Sequence, residues 1–440
     1  MPTRTRPAHG RFPDLARIVP SIFLMPLLLG AAAPEGDSIS WEAAVREAVN
    51  WHPSVTEAIA RLNEQAQEVD VAKAGYRPQI SGGIGTEYDN LRSSRWQPRA
   101  NLSASQMLFD FGKVKSAVAI ADAGTRVSRA DLLLAVDGLV RDTSYAIIEI
   151  QRDIALRQVA VDQLASIRDI NELVHHRYRL GATTKSDALQ AQARVQAAEV
   201  ALQEIEAEQA RWESNLAYLL GRAAAPRVSL DPPVGLHGAC DRGDPDWAMV
   251  PAVMQARAER DEALAALDRS RADRLPTVSV GANGGSDLFD PFSHRAEYSF
   301  GLNVSTPLYS GGARRARERG ADYALRAADA AEARARNEVG RQLAEAHRQV
   351  ASLRSVVETL AARRDSMTET GRLYRLQYLD MGTRTLVDLL NAEQELHQVR
   401  FDLANTRFDI RRLEVSCLFH AGVQRDVYEL SGMTIKGVTL

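Results

Sequence analysis

Two aspartates, Asp187 and Asp388, hold the same place in a stretch that occurs twice. The first copy runs Tyr178-Arg179-Leu180-Gly181-Ala182-Thr183-Thr184-Lys185-Ser186-Asp187-Ala188-Leu189-Gln190-Ala191. The second runs Leu379-Asp380-Met381-Gly382-Thr383-Arg384-Thr385-Leu386-Val387-Asp388-Leu389-Leu390-Asn391-Ala392. In each, a long helical pattern breaks at glycine and restarts after threonine, a favoured N-cap. The aspartate then falls in the first turn of the new helix, where the dipole favours negative charge. The chemistry on offer is electrostatic: a carboxylate fixed at a helix start. Arg384 stands four residues before Asp388 and can pair with it along one helix face.

No catalytic constellation accompanies these residues. The nine histidines are scattered. His175 and His176 are adjacent, so on a helix they point about 100° apart and share a metal poorly. No phosphate loop, cysteine motif or nucleophile elbow occurs. The reading is a non-enzyme with no cofactor and no metal. Cys240 and Cys417 are too few for a disulfide scaffold, and sequence leaves open whether they pair. Cys417 falls on an apolar seam, which predicts a buried packing role. The net charge of −3 in 440 residues predicts no nucleic-acid partner.

Both tips read as the turns of helical hairpins, and two of them signal an internal duplication. Residues 1–33 read as a secretory signal, with Arg4, Arg6, Arg11 and Arg17 before the apolar run Ile18 to Leu29. That run is shorter than the roughly 20 residues a spanning helix needs. A first repeat covers 38–220: a helix from Trp41 to about Ala74, a strand hairpin over 79–109, a helix from about Lys113 to His176, the Gly181 tip, and a returning helix. The Pro- and Gly-rich segment 221–250 separates the halves. A second repeat covers 251–420, with a strand hairpin over 277–309 and a long helix from Ala313 to Tyr378. The tail 421–440 carries no clear pattern.

The strands alternate cleanly. Ile80, Ile84 and Tyr88 share one face of the first, while Ser81, Gly83 and Gly85 share the other. Tyr298, Phe300, Leu302 and Val304 alternate with Ser299, Gly301 and Asn303 in the last. One apolar face and one small, polar face suit an outer-membrane barrel, with lipid outside and water inside. Four strands cannot close a barrel, and a bilayer tolerates no open edge, so several chains must contribute. The second long helix carries a 4–3 apolar spacing at Val339, Leu343, Ala346, Val350, Leu353, Val357 and Leu360. Ile147, Ile150, Ile154, Val161 and Leu164 come close to it in the first. Such a seam calls for coiled-coil neighbours.

With these features the chain resembles the TolC family of outer-membrane efflux and secretion channels. The resemblance covers the whole mature layout and is most specific at Gly382-Thr383-Arg384-Thr385-Leu386-Val387-Asp388-Leu389-Leu390-Asn391. It implies a mixed α and β fold: a homotrimer whose helical hairpins form an α-barrel and whose strands form a twelve-stranded transmembrane β-barrel. It implies location in the outer membrane, reaching into the periplasm. It implies a periplasmic adaptor as partner, coupled to an inner-membrane ABC transporter or proton-driven pump. By the same resemblance Asp388 lines the periplasmic entrance, and Asn391 stands where the family often has a second acid. Arg384 would latch the closed tips through Ser186 and Asp187. The family's aromatic latch partner falls at Leu379. Gly181, Ala182, Thr183, Gly382 and Thr383 would dock the adaptor.

The branch most resembled serves type I protein secretion. A multidrug or metal efflux duct of the same fold is the alternative, and a non-channel coiled-coil envelope protein is a second. A basic run, Arg314, Arg315, Arg317 and Arg319, follows the last strand. It either meets acidic lipid phosphates or lies on a solvated helix face.

Overall fold

The computed structural model describes residues 38–88, 96–287 and 297–440. The expected secretory signal and both strand-hairpin turns, at 89–95 and around 287–293, fall wholly or largely outside these residues.

The described chain repeats one layout. Its first half holds α1 (Trp41–Trp51), α2 (Pro53–Lys73), β1 (Gln79–Tyr88), β2 (Trp96–Phe109), α3 (Lys113–Arg179) and α4 (Lys185–Leu220). Its second holds α5 (Pro251–Ala272), β3 (Thr277–Asp287), β4 (Glu297–Ser305), α6 (Ala313–Leu376) and α7 (Leu386–Ala421). At 67 residues, α3 is about 100 Å long.

Several boundaries depart from the sequence reading. The first helix is two helices, because Pro53 lacks an amide hydrogen and opens a new helix at its first position. Strand β4 stops at Ser305, two residues before Pro307, rather than running to Tyr309. The last residues expected in the long helix, Gln377 and Tyr378, belong to a π-helical turn, Gln377–Met381. The tail is ordered: α8 (Gln424–Val427) leads to a hairpin of β5 (Thr434–Ile435) and β6 (Val438–Thr439).

The four long strands form one antiparallel sheet in the order β1-β2-β3-β4. Its register puts like with like. Ile80 faces Ala104, Gly82 faces Leu102, and Ile84 faces Ala100. Val280 faces Leu302 and Ala282 faces Phe300. Opposite them lie Ser81 with Ser103, whose hydroxyls meet at 2.6 Å, and Gly281 with Gly301. The apolar side is bare: Ile84 is 76% exposed and Phe300 79%. A bulge between Met107 and Phe109 breaks the alternation, so Leu108 and Phe109 are both exposed. Among the described residues no helix is long and apolar enough to cross a membrane.

The main core lies midway along the helices, away from the strands. Trp41, Ile147, Leu216, Leu418, Tyr428 and Leu430 are buried there together. The Trp41 indole and the Gln151 amide both donate to the Ser229 carbonyl, at 3.2 and 2.7 Å. Cys240 and Cys417 form a disulfide across this core. That settles the open pairing, and Cys417 is buried in the core as its place on the apolar seam predicts. Ile154 and Val161, expected on a buried seam of α3, are instead exposed in the single chain.

Candidate functional site

The two tips are built by the same local chemistry. Helix α3 ends when Gly181 takes a left-handed conformation, φ 73°. The Gly181 amide then donates to Tyr178 and the Ala182 amide to Arg177, which satisfies two terminal carbonyls. Thr184 caps α4 and accepts from the Asp187 amide, while Asp187 accepts from the Thr184 amide. Asp187 Oδ2 also accepts from the hydroxyls of Thr183 (2.6 Å) and Thr184 (2.9 Å). These bonds, that of Thr183 foremost, hold its carboxyl below the ordinary range.

At the second tip Gly382 is left-handed, φ 62°, and Thr385 caps α7. Asp388 Oδ2 accepts from the Thr385 amide (3.1 Å) and hydroxyl (2.9 Å). Those bonds, with Arg384 adding a smaller pull, keep the Asp388 carboxyl low. Both aspartates are therefore capping residues within the chain. All these bonds land on Oδ2, so Oδ1 of Asp388 remains available to what faces the tip. Asn391 is exposed one turn further on.

The tips are packed against each other. Ile167, Ile170 and Val174 of α3, Ala188 of α4, and Leu386, Leu389 and Leu390 of α7 form a small core with Tyr378. Arg177 spans the gap. Its guanidinium sits 4.9 Å from the Tyr378 ring centroid, and Nη1 donates to the Tyr378 carbonyl at 3.2 Å. Burial raises the pKa of the Tyr378 phenol, so the ring stays neutral.

Arg384 goes elsewhere. It stacks on Tyr374, 4.3 Å from the centroid, and Nε donates to the Gln377 side chain at 3.1 Å. Within the single chain it is bonded to neither Ser186, which is exposed, nor Asp187, whose bonds are all local. The aromatic that faces the first hairpin is Tyr378, not a residue at Leu379, which is 38% exposed. The π-helical turn carries an extra residue and so changes which side chains point inward. Sequence reasoning missed Arg177, Tyr374, Gln377 and Tyr378. The available signal was two tyrosines one turn apart before the Gly382 tip. Gly181, Ala182, Gly382 and Thr383 all lie exposed at the apex, with Thr183 half-buried.

Comparison with known proteins agrees with this geometry. The sequence profile of a family described as outer membrane efflux protein matches residues 44–222 and 248–416, most of both repeats. The alkaline protease secretion protein AprF of Pseudomonas aeruginosa is 27% identical, over 74% of this chain and 69% of its own. The outer membrane protein TolC of Vibrio cholerae is 25% identical, over 88% and 92%. The crystal structure of the outer membrane protein VceC from Vibrio cholerae superposes with a TM-score of 0.76 at 20% identity, covering 87% of this chain and 96% of that one. With a matching family profile over both repeats and the same fold in VceC, this chain belongs to the outer membrane efflux proteins, TolC-type channels that are not enzymes and that reach from the outer membrane into the periplasm.

Proposed function

We propose that three copies of this chain close one barrel and form an export duct. The observation that carries this reading is the bare sheet. A four-stranded sheet with an exposed apolar face, whose edges β1 and β4 pair with no further strand among the described residues, is stable only when lipid covers the face and other strands cover the edges. Pairing β4 of one copy with β1 of the next would give twelve strands. Helix α6 supports the same assembly: of its 64 residues only Val339, Ala346, Val350 and Gly371 are buried.

The duct would receive cargo from an inner-membrane pump through a periplasmic adaptor docked on the Gly181 and Gly382 tips. Three Asp388 side chains around the axis would make a cation-preferring entrance. Asn391 one turn away would keep that preference weaker than two acids would. In the trimer, Arg384 would leave Tyr374 for Ser186 and Asp187 to hold the tips closed. The type I secretion branch is favoured by AprF, whose name records secretion of a protease. Small-molecule or metal efflux is the alternative cargo.

Planar-bilayer recording of the purified protein tests the duct. Discrete channels are expected, with larger conductance in Arg384→Ala. A folded protein that gives no channels, with or without this substitution, would refute the duct. Channels whose conductance Arg384→Ala leaves unchanged would refute the latch alone.

A further inference from the structure

The first turns of α6 carry an electrostatic arrangement that the duct does not explain. Arg315, Arg317 and Arg319 are all exposed within the first seven residues of the helix. That is the positive end of the helix dipole, where cations are unfavourable and acids are preferred. The first turn of α6 has no acid.

Several arginines further along α6 are neutralised by carboxylates one turn away. Arg326 pairs with Asp322, Arg336 with Glu332, and Arg372 with Glu369. The one carboxylate in the basic run, Glu318, is taken by Arg271 of α5 and by Arg274 in the turn that follows it. Arg314 is held too, donating to the Pro307 carbonyl at 2.9 Å. Among the described residues the side chains of Arg315, Arg317 and Arg319 have no acidic partner.

Their place in the fold indicates what could neutralise them. They follow the end of β4 by about ten residues, on the helical side of the sheet. Between strand and helix, Leu308 is 94% exposed and Tyr309 89%. A large apolar side chain, an amphipathic ring and a cation cluster at the rim of a bare apolar sheet form the combination found at membrane interfaces.

We infer that this rim binds phospholipid headgroups in the leaflet nearest the periplasm. Leu308 enters the acyl region, Tyr309 lies at the headgroup level, and Arg315, Arg317 and Arg319 meet the phosphodiesters. Arg315 and Arg319 share one side of the helix, and Arg317 lies on the other. The three therefore reach headgroups on both flanks of α6 and do not clamp a single phosphate. Anionic headgroups are preferred, because a zwitterion returns a cation for each phosphate. The inference rests on the lipid-facing reading of the sheet.

The test is native mass spectrometry of the detergent-purified full chain with added short-chain phosphatidylglycerol, phosphatidylcholine or inorganic phosphate. Phosphatidylglycerol is expected to bind more tightly than phosphatidylcholine and to weaken at high salt. Each of Arg315→Gln, Arg317→Gln and Arg319→Gln should weaken it about fivefold. Removing three paired arginines of the same helix, at 326, 336 and 372, should leave it unchanged. Equal binding of both lipids, loss in the control triple variant alone, or displacement of the lipid by inorganic phosphate would overturn the proposal. The salt dependence of the wild type decides the matter should the variants fail to fold: salt-insensitive binding also overturns it. Loss of headgroup preference with channel activity intact would leave the duct standing.

Discussion

Arg177 and Tyr378, 201 residues apart in sequence, are stacked and hydrogen-bonded to each other, so the apex of one repeat holds the apex of the other. A charged hydrogen bond and a half-buried cation–π contact together stabilise the joined tips by about 2 kcal/mol. Arg177→Gln keeps the length of the side chain and removes the cation. Amide hydrogen exchange across residues 374–385 should then speed up roughly thirtyfold, and single-channel conductance should rise. Exchange at the wild-type rate would show that the apolar cluster alone joins the tips.

The capping role of Asp388 and the entrance role proposed for it separate by mutation. Asp388→Ala removes both the cap and the charge, and cation preference should fall. Thr385→Ala removes the two bonds made by the hydroxyl, one to the carboxylate and one from the Asp388 amide, but keeps the charge, so selectivity should persist while the start of α7 frays. Equal loss of selectivity in both would mean that the helix end, not the carboxylate, sets it. The folded pKa is depressed, so the capping contribution is complete above the ordinary carboxylate range and is lost as pH falls through the lower folded value. Cation preference should therefore survive to pH values at which free carboxylates are already protonated.

The disulfide straps the inter-repeat segment onto α7. Around it, the Gly238 amide donates to Glu414 at 3.0 Å, and Arg354 bridges Asp241 and Glu414. Cys240→Ser should cost about 2–4 kcal/mol. Exchange should rise in residues 235–245 while the tips keep their wild-type rates. If residues 235–245 stay protected, the ion pairs suffice without the covalent bond.

Asp137 lies buried against Arg425, which donates to it at 2.6 Å. Burial pushes its pKa up to about 7, against the pull of Arg425. Between the ordinary value near 4 and about 7 the folded chain keeps a proton that the unfolded chain has lost. Stability therefore falls as pH rises through that window and levels off above it. Residues 424–440 should be better protected at pH 5 than at pH 8, and Asp137→Asn should flatten the difference. A pH dependence that survives in the Asn variant would place the titrating group elsewhere.

The strands and tips were legible because their signals are local. Alternation at period two marks Ile80 to Tyr88 and Tyr298 to Val304 whatever they pair with. At the tips Gly181 and Gly382 end a helix, and Thr184 and Thr385 begin the next, through bonds that reach only a few residues along the chain. The rule that bilayers tolerate no open sheet edge is what extends the pattern to the proposed assembly of several chains.

What the sequence left undecided involves distant partners or competition between near-equal local states. Cys240 and Cys417 meet across 177 residues, and Arg425 finds Asp137 across 288. Neither pairing has a periodicity to read. The tail looked patternless because Tyr428, Leu430 and Ile435 are buried by other elements and not by each other's spacing. At the second tip an α-helical and a π-helical turn differ by one residue and little free energy. Tyr378 of the π turn is buried among residues of α3 and α7, a contact that no local pattern announces. Sequence therefore determined the repeated layout, the strands with one apolar face and the capped tips, since each arises from bonds and faces within a few residues. Tertiary structure alone decided the disulfide, the docked tail and the contact between tips, because only the folded chain brings those groups within reach.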